Sequence, residues 1–254
     1  MAIISKIKER VKLLRKSRYK FFRWVYLLLL FLKNLLNFFI SASYRSQSIS
    51  KIRYKKNFHQ TSHYTEANRY PDLFEICHDY LKEQSASKIL SYGCSTGEEV
   101  FSLGDYLPNA SIIGTDISKW CIKESCKKNV DNRFAFVHSG SEQFELLDNF
   151  DAIFCLAVFQ HPKNREESVY KATKYIFSQF EQQLIILDKK LKTGGLLFID
   201  ECDFNFLETR IVLNYFPLQS SNNKLSRERP LFNKWNQKIS DTQENYRVFL
   251  KSKF

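Results

Sequence analysis

Gly93, Gly97 and Asp116 are the residues of this 254-residue chain best suited by type and spacing to hold a nucleoside. The two glycines punctuate Gly93-Cys94-Ser95-Thr96-Gly97-Glu98-Glu99, between an apolar run, Lys88–Tyr92, and a helical pattern. Glycine lets a backbone approach a ligand closely, and a helix start offers N–H groups. Asp116 ends a second apolar run, Ser111–Thr115, where a carboxylate can accept from both ribose hydroxyls. Ser95 and Glu98 have the spacing of a capping box, which predicts where the helix begins. Further on, His161 precedes Pro162 in a loop. Its imidazole titrates near neutrality and could take a proton, or it could cap the helix that follows. Asp200 and Glu201 end an apolar run; they could remove a proton, bind a cation, or simply close a strand.

These residues need a sheet to position them. Strand, helix and strand are predicted from Lys88 through Asp116, preceded by a helix that Pro71 opens, with Leu73, Phe74, Cys77, Tyr80 and Leu81 facing the core. A helix over 118–129 leads to a third strand, Phe134–His138, and a fourth runs over Asp151–Leu156. A helix over 175–192 carries Ile176, Phe180, Leu184, Leu187 and Leu191 on one stripe; Gly194-Gly195 stops it, and a fifth strand, Leu196–Asp200, follows. Asn245–Leu250 reads as a last strand, antiparallel beside the fifth. Alternating strands and helices imply an α/β fold: a doubly wound, mostly parallel Rossmann-like sheet, with its site at the carboxyl ends of the strands.

Charge is unevenly distributed. Residues 1–56 hold 15 Lys or Arg and one acid, Glu9, whereas the rest holds 24 basic and 26 acidic residues. A nearly neutral globular part argues against nucleic acid as a partner, since a polyanion groove needs basic residues on the folded domain. Within the basic segment, Ile3, Ile7, Val11 and Leu14 recur at helical spacing, and Trp24–Ile40 is mostly apolar but contains Lys33, Asn34 and Asn37. A span wants about 20 mostly apolar residues. The denser basic flank, at the amino-terminal side, would stay cytoplasmic and send the remaining chain across. A basic hydrophobic helical segment lying on the cytoplasmic face of an anionic membrane, peripheral rather than spanning, meets neither difficulty. The expected division is 1–56 as membrane-associating segment and 57–254 as Rossmann-like domain, with 41–70 a polar linker that becomes a lid. The six cysteines include no C-x-x-C pair, and His59 and His63 have no third ligand nearby. A reducing compartment with no disulfides and no metal site is expected.

The string Gly93-Cys94-Ser95-Thr96-Gly97-Glu98-Glu99, with Asp116 downstream, resembles the first two motifs of class I S-adenosylmethionine-dependent methyltransferases, in the variant of the chemotaxis-receptor enzymes. Ser91 and Ser95 stand where most of the superfamily has an acid and a glycine, and both departures are shared with the chemotaxis type. The strong match covers residues 88–118. The resemblance implies S-adenosylmethionine as cofactor. Gly93, Cys94, Ser95 and Gly97 would lie under its methionine and ribose portions, Asp116 on the ribose, Ile117 against the adenine and Ser139 near the adenine amine. Glu98 would receive the cofactor's ammonium group or only cap its helix. The loop holding His161 would lie beside the methyl group. The Asp-Pro-Pro-Tyr and Pro-Cys motifs of nucleic-acid methylating enzymes are absent, and Cys155–Pro162 lacks the Asn-Val-Leu-type text of the chemotaxis enzymes. The expected function is methyl transfer to a small-molecule, lipid or glycan-linked acceptor at a membrane surface. The alternatives are a nucleotide-cofactor oxidoreductase, or a membrane-tethered nucleoside-binding module without turnover.

Overall fold

Successive side chains of a strand point to opposite faces of its sheet, so a strand covered on both faces is apolar throughout. Strand β4 (Phe150–Leu156) is of this kind, all seven residues being buried. The computed structural model describes residues 17–54, 60, 62–166, 168–218 and 224–252. The chain divides into two compact units, Met1–Ile49 and Ser50–Phe254.

In the second unit, β1 (Ser87–Tyr92), β2 (Ala110–Asp116), β3 (Phe134–His138), β4 and β5 (Leu191–Asp200) form a parallel sheet. Two further strands, β6 (Tyr215–Pro217) and β9 (Val248–Lys251), extend it in the order β3-β2-β1-β4-β5-β9-β6, with β9 antiparallel to both its neighbours. The predicted last strand is therefore where and how it was expected, displaced by three residues at its start. Alternation builds two cores. Leu90, Ile113, Ile153 and Leu197 face one that includes Phe159, Phe180 and Phe204; Ile89, Ile112, Phe154 and Phe198 face another with Leu73, Phe74 and Val100. Phe154 and Phe198 are register partners and stack with centroids 4.0 Å apart.

The helices of this unit follow the apolar spacing. Pro71–Leu81 buries Leu73, Phe74, Ile76, Cys77 and Leu81, but Tyr80, predicted on the core face, is exposed and donates to the Gly194 carbonyl. Glu98–Tyr106 follows β1, Lys119–Lys128 follows β2 under a Ser118 cap, a single turn Glu142–Glu145 follows β3, and Phe177–Lys190 precedes β5. Gly194-Gly195 does not end that helix: it lies inside β5, where Gly194 has φ +79° and the pairing to β4 shifts register. A hairpin absent from the sequence reading, β7 (Lys224–Phe232) with β8 (Lys238–Tyr246), forms a separate two-stranded sheet.

Residues 41–70 are not wholly a linker. A helix runs over Ala42–Arg53, because Ser, Gln and Arg tolerate a helix even without an apolar stripe. From Ser50 onward it belongs to the second unit. The Ser50 hydroxyl donates to the Ile117 carbonyl at 3.2 Å, and the Tyr54 ring lies 5.2 Å from that of His138.

In the first unit, one helix, Lys20–Ile40, is long and apolar enough to cross a membrane, and none of its residues is buried. At about 100° per residue, Lys20, Arg23, Lys33, Asn34 and Asn37 fall within one arc of about 140°, and most of its apolar residues fill the rest. The amphipathic pattern expected over 1–16 lies outside the described residues.

Candidate active site

The strand order reverses direction between β1 and β4, and a cavity of about 220 Å³ opens there at the carboxyl ends of the strands. It is lined by the corner after β1, by Asp116 and Ile117 after β2, by Ser139 after β3, by Leu156–Val158 and Gln160 after β4, and by Glu201 after β5. Residues 62–66 with Gln60, Arg69 and Tyr70 close its open side. This strap is tied down by Gln60 Nε2 donating to the Ala157 carbonyl at 2.9 Å and by the Ser95 hydroxyl donating to the His63 carbonyl at 2.8 Å.

Among the described residues, six non-glycine residues have positive φ, and three of them are not asparagine: Ser95, Ala157 and Glu201. All three line the cavity, at the ends of β1, β4 and β5. Such backbone costs energy for a side chain with Cβ and concentrates at working sites. Gly93, with φ +83°, adds a tight approach: a Cβ there would lie 2.5 Å from Val158 Cγ2. Gly93→Ala is expected to destabilise the fold by about 1–2 kcal/mol from its left-handed backbone alone, and by more from displacing Val158. A melting temperature lowered by roughly 2–8 °C would register it.

Asp116 sits beneath the corner. Its Oδ2 accepts the Ser95 N–H at 3.1 Å and its Oδ1 the Ser118 N–H at 2.7 Å. Each carboxylate oxygen keeps a lone pair for a second donor. Burial pushes this carboxyl up to about 6, against the pull of those two amides. Glu99 also faces the cavity and accepts the Ser91 hydroxyl at 2.7 Å; burial pushes it up to about 7, opposed by Ser91 and Arg69.

Four of the corner's N–H groups are engaged within the protein. Those of Gly93 and Cys94 donate to the Thr115 carbonyl at 2.7 and 2.9 Å, and that of Gly97 to Cys94 at 3.0 Å. With Ser95 on Asp116, these four N–H groups are turned inward. The expected capping box is likewise absent. Gly97, with φ +96°, is the N-cap, and the Ser95 side chain bonds the strap instead. That shifts the helix phase. Glu98 turns to Lys128 at 2.6 Å and to the Thr96 hydroxyl at 2.7 Å, outside the cavity lining. Glu99, four residues before buried Leu103, takes the inward position.

Of the other sequence candidates, Gly93, Cys94, Ser95, Asp116, Ile117, Ser139 and Glu201 line the cavity, whereas Gly97, His161 and Asp200 do not. His161 Nδ1 accepts the Lys163 N–H at 3.1 Å and so caps the short 3-10 helix Pro162–Arg165. Burial and the surrounding Lys163, Lys51, Lys174 and Arg165 lower its pKa. Asp200 is raised by burial, which Arg227 and Arg247 oppose; its Oδ2 lies 2.9 Å from Arg227. Glu201 accepts from Arg69 at 2.9 Å, from Arg227 at 2.7 Å and from the Tyr70 hydroxyl at 3.2 Å. Burial would raise it, but Arg69, Arg227 and Arg229 overcome that and hold it below the usual carboxylate range. Sequence reasoning missed Glu99, Arg69, Tyr70, Gln160 and Arg165. Only Glu99 carried a signal, its place on the buried stripe of its helix. Among the described residues, no group of His, Cys, Asp and Glu could hold a metal, and the cysteines are unpaired.

Residues 90–177 match a family described as a methyltransferase domain. No curated protein matches the chain. Among solved structures, it is similar to the plantazolicin methyltransferase BpumL in complex with SAH, at 17% identity and TM-score 0.37, over 76% of this chain and 61% of that one. It is also similar to PKMT2 from Rickettsia typhi in complex with AdoHcy, at 22% identity and TM-score 0.34, over 44% of this chain and 20% of that one. A third is the YcgJ protein from Bacillus subtilis, at 19% identity and TM-score 0.36, over 51% of this chain and 50% of that one. The chain spans only 20% to 61% of the length of these proteins.

Proposed function

Since residues 90–177 match a methyltransferase domain, we propose that the chain is a class I S-adenosylmethionine-dependent methyltransferase that methylates a small-molecule, lipid or glycan-linked acceptor at the surface of an anionic membrane. The observation that carries the cofactor part of this reading is an acid, Glu99, facing the cavity beside a glycine corner, four of whose N–H groups are engaged. A dinucleotide's pyrophosphate needs free amides there and is repelled by a carboxylate. A cationic nucleoside needs the reverse. Asp116 would take both ribose hydroxyls, Ile117 and Ser139 the adenine, and Glu99 rather than Glu98 the ammonium group. The cofactor supplies an electrophilic methyl group on sulfur. The protein's part is to align the acceptor with it and to exclude water.

Of the three proton-transfer candidates, only Glu201 lines the cavity; His161 caps a turn outside it, and Asp200 is not in the lining. Glu201 itself is held ionised by three arginines and orients Tyr70 and Arg69.

The membrane part is supported by Lys20–Ile40. Its polar stripe and wide apolar face suit a helix lying in the interface, where the basic residues meet anionic head groups.

A pH dependence follows from Glu99. Its folded pKa, about 7, lies above the ordinary carboxylate value. Stability without a cationic ligand is therefore greatest in acid and declines as pH rises from that ordinary value through about 7. An ammonium group prefers the ionised form, so cofactor binding should tighten over the same range. S-adenosylhomocysteine affinity is expected to rise about tenfold between about pH 6 and pH 8, one pKa unit being 1.36 kcal/mol. Calorimetry should also record proton release. In Glu99→Gln the rise should largely disappear.

The acceptor reading is tested with the full-length protein and methyl-labelled S-adenosylmethionine, offered membrane lipid extract, soluble metabolites and nucleic acid separately. Label in the lipid or small-molecule fraction is expected. Label in nucleic acid alone would contradict the proposal.

A further inference from the structure

Glu201 and Arg69 of the cavity lining belong to a network of arginines and acids. In it, Arg69, Arg227, Arg229 and Arg247 pair with Asp72, Asp200, Glu201 and Asp203. Four guanidiniums and four carboxylates balance within that network. A fifth guanidinium, Arg165, lines the cavity while remaining exposed to solvent, and among the described residues it has no ion-pair or hydrogen-bond partner. Burial and the nearby Arg229 make its charge costly, with Asp203 and Glu201 opposing.

The turn that carries it is held by buried hydrogen bonds. Arg165 ends the 3-10 helix Pro162–Arg165, which His161 caps. The preceding residue, Asn164, is fully buried; its Nδ2 donates to the Tyr175 carbonyl at 2.8 Å and to Asp203 Oδ2 at 3.0 Å. The same Asp203 oxygen accepts the His161 N–H at 2.9 Å. Buried hydrogen bonds of this kind fix one conformation, since leaving any of them unmade is costly. Here they hold in the cavity wall a cation that serves no internal contact. Gln160, also in that wall, is oriented by Arg229 and by its own bond to the Ala157 carbonyl at 2.6 Å.

We infer that the acceptor carries an oxyanion, a carboxylate or a phosphate, that seats on Arg165 in the cavity wall. A guanidinium presents a planar fork of donors that matches either group. The inference rests on the cavity being the acceptor's site and names the class of molecule it takes. It also gives His161 a positioning role: its cap sets the turn that carries Arg165.

The test uses the full-length protein, with and without saturating S-adenosylhomocysteine, titrated by calorimetry with sodium acetate and with inorganic phosphate at constant ionic strength. Wild type should bind at least one of the two saturably. Arg165→Gln should weaken that binding at least tenfold, while Arg165→Lys should keep most of it. Both variants should bind S-adenosylhomocysteine as wild type does and melt as it does. The preferred anion separates a carboxylate acceptor from a phosphate one. For the latter, neutral vesicles with and without added phosphatidic acid separate a lipid head group from a soluble phosphate. Saturable binding of neither anion, or equal binding by wild type and Arg165→Gln, would overturn the inference. If S-adenosylhomocysteine fails to bind at all, the cofactor reading falls, and the titrations without it still decide for or against Arg165.

Discussion

Replacing Asp116 with alanine is expected to weaken S-adenosylhomocysteine binding by a factor of about 100 to 10,000. Two hydrogen bonds from ribose to a charged acceptor are lost, each worth about 1.5–3 kcal/mol. The carboxylate is well prepared for the task. Each of its oxygens already accepts one backbone N–H, from Ser95 and from Ser118, which fixes its plane. Asp116→Asn should lose less, because the amide oxygen still accepts one hydroxyl. Comparing the two variants by calorimetry, with melting curves as the check on folding, separates the loss of ribose contacts from general damage. Equal affinity in wild type and Asp116→Ala would remove Asp116 from the site.

Membrane attachment gives the second large effect. The full-length protein should sediment with vesicles containing phosphatidylserine and far less with neutral ones. Of the described residues before Ser50, Arg18, Lys20, Arg23, Lys33 and Arg45 are basic. At about 1 kcal/mol for each basic residue near an anionic surface, they favour such vesicles by roughly three orders of magnitude or more at low salt. High salt should weaken the binding, because the Debye length shrinks to about 3 Å at 1 M. Alkaline carbonate should extract the protein. Protein that resists both treatments would mean that Lys20–Ile40 spans; its 21 residues reach about 32 Å against a hydrocarbon core of about 30 Å. Where the chain is cut matters. A version beginning at Ser50 keeps the Ser50 bond to Ile117 and the Tyr54 ring beside His138. A cut after residue 56 removes both and should weaken cofactor binding through Ile117.

The parallel sheet could be read from the chain because its strands are short apolar runs closed by punctuating residues. Gly93 and Asp116 sit at the ends of β1 and β2 as expected. The hairpin β7–β8 could not be read in this way. Its strands are largely polar, such as Lys238–Tyr246, because one side of a two-stranded sheet meets water. The helix Ala42–Arg53 has no apolar stripe, so periodicity gave no sign of it. At the site, one misplaced cap exchanged Glu98 for Glu99. A left-handed Gly97 starts the helix where Ser95 seemed to, and only the inward residue of an acidic pair can meet a ligand. The arginine cluster was hidden for a different reason. Arg69, the Arg227 and Arg229 pair, and Arg247 lie apart in sequence from most of the acids they meet, and no local pattern marks a long-range ion pair.

The most direct measurement is calorimetry of the full-length wild-type protein with S-adenosylhomocysteine and, in parallel, with NAD. One saturable site for S-adenosylhomocysteine, tighter at about pH 8 than at about pH 6 as Glu99 ionises, with no heat from NAD, is the predicted result. Binding of NAD without S-adenosylhomocysteine would contradict it, since a pyrophosphate would then lie beside the Glu99 carboxylate that repels it.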